Sequence, residues 1–122
     1  MKDDKLYLLH ISECLDRIDR YVSEGAEHFM KDTKTQDAVL RNLQVMAEST
    51  QRLSSELKLA HPEVDWRGIA GFRNILVHDY LGISLIRIWE IIEGPLKKLK
   101  DNIEMINNSL DEESGNNRRS SD

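Results

Sequence analysis

Residues 66–80 read WRGIAGFRNILVHDY. Trp66, Ile69, Phe72, Ile75 and Leu76 recur at steps of three, three, three and one, the stripe of a short amphipathic helix, with Asp65 placed as its N-cap. Gly68, Ala70 and Gly71 thin one side, so another helix can approach closely. This is also where Arg, Asn, His, Asp and Tyr crowd into an otherwise apolar segment. Arg73 to Tyr80 reads Arg-x4-His-x-Tyr, with Asn74 directly after the arginine. Asn74 and His78, four apart, share a helix face, so the amide can orient the imidazole. Arg73 and His78 stand roughly 140° apart around a straight helix. They converge on one target only if the helix ends or bends near His78, or if a second subunit closes the gap. Asp79, Tyr80, Leu81 and Gly82 follow at once, and Gly82 suits a turn or C-cap.

Working outward, residues 4–23 carry Tyr7, Ile11, Cys14, Ile18 and Tyr21 at steps of four, three, four and three, an amphipathic helix with Glu13, Asp16, Arg17, Asp19 and Arg20 outside. Gly25 ends it. Residues 27–34 form a short connection with Phe29 and Met30 tucked beneath, and Asp32 with Thr33 or Thr35 supplies cap chemistry. A second helix is expected over residues 36–59, where Val39, Leu43, Met46, Leu53 and Leu57 repeat. Glu48 lies on a small-residue patch of this helix, either solvated or paired with Arg73. His61-Pro62 breaks it. Ser84 caps a further helix whose stripe runs from Leu85 to Ile106, interrupted by Gly94-Pro95, where a kink or a break is expected. From Asn107 onward the composition turns polar. The expected organisation is a single domain over 1–107 and a disordered tail over 108–122. No strand-like alternation occurs. The fold class is therefore all-α: an antiparallel bundle of four helices, or five if the last divides at its kink.

The chain has 122 residues and a net charge of −5, which argues against a general nucleic-acid coat but not against a local basic cleft. A single cysteine, Cys14, rules out an internal disulfide and makes the cytoplasm the default setting. The apolar runs are too short to span a membrane. The wide stripes of the first and last helices, with Trp66 and Trp89, exceed the needs of a small bundle, so a homodimer is expected.

The four histidines, His10, His28, His61 and His78, lack metal-ligand spacing, so neither metal nor cofactor is expected. No glycine-rich phosphate loop and no nucleophile elbow is present. What remains is acid–base work on a phosphodiester. RNA supplies its own nucleophile, the 2′-hydroxyl; a histidine can move the proton and an arginine can hold the charge on phosphorus. A histidine at a helix end often does no more than satisfy the last carbonyls, and a neighbouring arginine often only pairs with a carboxylate. The spacing alone leaves both readings open.

Pro62, Trp66, Phe72, Arg73, Asn74, His78 and Tyr80, in the pattern P-x3-W-x5-F-R-N-x3-H-x-Y, resemble the signature of HEPN-domain proteins of the HepT-like toxin branch. The resemblance extends more weakly to Phe29-Met30, to residues 36–39, to Ala47-Glu48 and to Trp89. It implies a HEPN-like helical bundle, dimeric, acting as a metal-independent RNase toxin whose antitoxin is a minimal nucleotidyltransferase. Carried over by position, Arg73 and His78 are catalytic, Asn74 supports them, and Tyr80 receives AMP from the antitoxin; Asp79 and Glu48 are further candidate supporting residues, Glu48 at an acidic position expected on the second helix. The alternative from another class is a non-catalytic helical module that binds a nucleotidyltransferase or nucleotides.

Overall fold

Hydrophobic periodicity becomes helix throughout the computed structural model, which describes the backbone of residues 2–120 and the side chains of residues 3–112. In chain order these are α1 (Lys2–Tyr21), α2 (Ala26–Lys31), α3 (Thr33–Gln51), α4 (Ser55–Ala60), α5 (Trp66–His78), a 3-10 turn (Tyr80–Gly82), α6 (Leu85–Glu93) and α7 (Pro95–Ser120). No strand occurs among the described residues. The all-α bundle is as expected, with seven α-helices among the described residues in place of four or five.

The additional elements have local causes. Residues 27–34 hold a helix of their own: Gly25, at φ +94°, takes a left-handed conformation that side chains resist, and the chain re-enters helix at Ala26. Phe29 is fully buried there, against Trp89 at 5.4 Å between ring centroids. The single helix expected over 36–59 is two. Its break is made by Asp4, buried on α1, whose carboxylate accepts from the Ser54 backbone N–H (2.7 Å) and hydroxyl (2.6 Å). Ser54 Oγ in turn accepts from the Leu57 N–H (3.2 Å) and caps α4. At Gly94-Pro95 the helix divides, α6 ending at Glu93 and α7 starting at Pro95. α7 continues past Asn107: Leu110 packs on the core, and Asp111 pairs with Lys5 at 3.2 Å. The packed part thus extends at least to Asp111. The expectation of a disordered tail, as far as it concerns the side chains of 113–122, lies outside the described residues.

The pairings give the direction of each helix. Asp4 meets Ser54, so α1 and α3 are antiparallel; Ser12 meets Asn107 (3.1 Å), while Lys100 meets Asp16 (3.1 Å) and Asp19, so α1 and α7 are too. Leu8, Ile11, Leu15 and Ile18 of α1 are buried against Val39, Leu43 and Met46 of α3 and against Ile103 and Ile106 of α7. Each such side chain contributes about 1.5–3 kcal/mol on burial. Cys14 sits in this layer, and burial pushes its thiol up. α5 lies on α3 and buries only Leu76 completely, leaving a groove of about 770 Å³ between α5, α6 and α7, lined by Phe72, Ile75, Ile83, Arg87 and Ile91 among others.

Candidate functional site

α5 is set at both ends by aspartate. The Asp65 carboxylate caps its start, accepting from the Gly68 N–H at 3.0 Å, and any side chain at 68 would collide with that carboxylate. Trp66, half-buried, anchors the same end by donating its indole N–H to the His61 carbonyl (3.0 Å). At the other end the helix stops at His78, with Asp79 as C-cap, and the 3-10 turn follows. Arg73 and His78 both lie within this helix, so its backbone leaves them on separate faces.

Arg73 is half-buried against α3. Its Nε lies 4.0 Å from Glu48 Oε1, and its Nη1 donates to Asn74 Oδ1 at 3.4 Å. Glu48 Oε1 also accepts from Gln44 Nε2 (3.2 Å). Arg73 Nε is buried without a hydrogen-bond partner among the described residues, so the guanidinium rests beside its carboxylate rather than bonded to it. Asn74 thus gives its carbonyl to Arg73. Among the described residues no hydrogen bond or ion pair joins His78 to Asn74 or to Arg73, and the imidazole is exposed at the helix end.

Tyr80 opens the turn, 37% exposed, and its hydroxyl donates to Asp37 Oδ1 at 3.5 Å. Burial pushes the phenol up, and the neighbouring Asp37 carboxylate adds to the effect. Asp37 enters the sequence reading only as part of the start of a helix. The signal that finds it is its spacing: Asp37, Gln44 and Glu48 stand at i, i+7 and i+11, one face of α3. α5 and its turn lie along that face, antiparallel, Arg73 at Glu48 and Tyr80 at Asp37. Arg73, Asn74 and Glu48 are thus brought together, Tyr80 and Asp37 form a second pair, and His78 and Asp79 stand between them in sequence. Among the described residues no three His, Cys, Asp or Glu side chains converge as metal ligands would.

An all-α bundle thus carries, about the end of one helix, a guanidinium beside a carboxylate, an exposed imidazole five residues on and a tethered phenol. Residues 11–106 match the family described as "Ribonuclease HepT-like". The chain is 32% identical over 106 residues to "Probable ribonuclease HepT" of Thermococcus cleftensis, covering 86% of this chain and 96% of that one. It is 35% identical over 107 residues to "Putative RNase TTE0752" of Caldanaerobacter subterraneus, covering 87% and 96%. A Methanocaldococcus jannaschii protein, "Gamma-glutamylcyclotransferase and putative RNase MJ0434", is 33% identical over 116 residues; the alignment takes in 94% of this chain and 52% of that protein, so the chain spans about half its length. No solved structure matches at a significant level. The chain belongs to the HepT-like ribonuclease family.

Proposed function

We propose that the protein is a metal-independent endoribonuclease acting as a cytoplasmic toxin, cutting RNA through its own 2′-hydroxyl. The observation that carries this reading is the Arg73 guanidinium, held near Glu48 with its buried Nε lacking a hydrogen-bond partner among the described residues, on a helix that ends at His78. Arg73 clamps the scissile phosphate and offsets the charge that builds on phosphorus. His78 takes the proton of the 2′-hydroxyl or gives one to the departing 5′-oxygen. Glu48 and Asn74 orient the guanidinium, and Asp79 ends the helix so that the imidazole is presented to solvent.

One histidine per chain does not easily serve as both acid and base. A homodimer that places two such helix ends around one cleft supplies the second. The exposed Ile75, Val77, Leu81 and Ile86, together with the apolar groove beside α5, offer a surface for it. The antitoxin in this reading is a minimal nucleotidyltransferase that places AMP on Tyr80. The adduct fills the cleft and its negative charge repels the RNA backbone.

The test is cleavage of labelled RNA by the purified protein in excess EDTA. Products ending in a 2′,3′-cyclic phosphate are expected, with losses of roughly 10²- to 10⁴-fold for His78→Ala and a comparable loss for Arg73→Ala. Cleavage that needs a divalent ion, or that survives both substitutions, refutes the reading. The net charge of −5 favours a second one, a non-catalytic module that binds a nucleotidyltransferase or nucleotides. Growth arrest on expression of the wild type but not of His78→Ala removes it.

A further inference from the structure

The Tyr80–Asp37 contact spans 43 residues of sequence and ties a turn that is otherwise lightly held. Nothing in the turn Tyr80–Gly82 is buried, and Leu81 is 99% exposed. Among the described residues the bond from Tyr80 to Asp37 is the turn's one side-chain hydrogen bond to the rest of the bundle. We propose that Asp37 is the positioning residue of Tyr80: it holds the bare hydroxyl on α3, cannot hold it once that oxygen carries a nucleotidyl group, and so turns the adduct toward Arg73 and His78. This rests on the reading of Tyr80 as the modification target.

The chemistry of the contact supplies the direction. Transfer of a nucleotidyl group joins Tyr80 Oη to the α-phosphorus of a nucleoside triphosphate. The bond from that phosphorus to the pyrophosphate oxygen breaks, pyrophosphate leaves with the electron pair, and the phenolic proton passes to water. Two things change at the oxygen facing Asp37. The donor hydrogen is gone, and a phosphodiester anion stands where a neutral hydroxyl stood. A carboxylate is acceptor only, so attraction becomes like-charge repulsion. Arg73, on α5 beside Glu48, is the cation toward which the adduct turns, its Nε lacking a hydrogen-bond partner among the described residues. The unmodified phenol is thereby kept out of the cleft, and the modified one is expelled into it.

Two measurements on the full chain decide the proposal. The first needs no modification: with ¹³C-labelled tyrosine rings, Tyr80 is expected to titrate above an ordinary phenol by NMR. Asp37→Asn removes the charge and brings the titration down; an unmoved titration overturns the contact. The second uses the nucleotidyltransferase with ATP, intact mass to verify a full AMP gain, and RNA cleavage by modified protein divided by cleavage by the same variant unmodified. That ratio is expected to be roughly tenfold higher for Asp37→Asn than for wild type, since an Asn can keep the adduct on α3. Equal ratios overturn the steering. A wild type that gains no mass on Tyr80 overturns instead the modification reading, and the steering with it, while the titration still decides whether Asp37 holds the hydroxyl.

Discussion

Arg73 is the residue whose chemistry the surroundings define most closely. A guanidinium half in the bundle and 4.0 Å from Glu48 is oriented without being neutralised in a tight bidentate pair. Arg73→Lys keeps the charge but loses the planar fork, so it is expected to restore little of the RNA cleavage lost in Arg73→Ala. Glu48→Gln leaves the volume and removes the orienting charge; a fall in kcat larger than any change in KM is expected in steady-state cleavage assays. Asp4 makes a separate case, since its role is stability. Its carboxylate is buried and satisfied by two donors of Ser54. Asp4→Ala strands those donors and is expected to cost about 1–3 kcal/mol in urea unfolding, without altering the Tyr80 titration. Cys14, with its thiol pushed up by burial, is expected to react with a maleimide only after denaturation.

The helices show what periodicity can and cannot reveal. α1, α5 and α6 are written in their stripes and caps: Asp65 and Ser84 bond the backbone N–H groups of Gly68 and Arg87, as their positions before apolar runs suggest. The division of α3 from α4 was hidden because Leu53 and Leu57 continue the apolar repeat across it. What breaks the helix is Asp4, fifty residues away, and no local pattern carries that. Asp37 was hidden for a related reason. A carboxylate in the first turns of a helix reads as ordinary terminal charge, and its bond to Tyr80 exists only once α5 lies along α3. Arg73 and His78 were visible as a motif, whereas the partner of Asn74 was not: the i,i+4 rule allows His78, and the fold gives Arg73. Between α1 and α7, Lys100 lies between Asp16 and Asp19, and its pairing with these carboxylates holds its ammonium above the usual lysine range. A raised pKa means that the folded state keeps its proton longer than the unfolded one. This contribution is whole below about pH 10.4 and is lost as pH rises through the higher folded value. Lys100→Met is expected to flatten the alkaline limb of a stability-against-pH curve.

Across the bundle as a whole, the burial is uneven. α1, α3 and α7 enclose most of the core, whereas α5 is covered on the α3 side and open toward the groove. Among the described residues no helix is long and apolar enough to cross a membrane. In the proposed homodimer the exposed Ile86 would be covered. Ile86→Asp is expected to shift sedimentation toward monomer and to lower RNA cleavage in proportion to the monomer formed, with the helical circular dichroism unchanged. A monomeric wild type that cleaves RNA at full rate would remove the shared-cleft mechanism and leave the single-chain roles of Arg73 and His78 standing.

The antiparallel seating of α1 against α7 has a consequence for the order of assembly. The partners of α1 lie at Ser54, at Lys100, at Asn107 and at Asp111, all later in the chain, so α1 is fully enclosed only after α7 has been made. The helix with Arg73 and His78 is synthesised well before its scaffold can close. A nascent chain arrested between α5 and α7 would display the motif on an open, unfinished core, exposed to proteases and to quality control. Synthesis of α7 is then the step that closes the core around α1, and truncation upstream of Asn107 is expected to raise sensitivity to proteases.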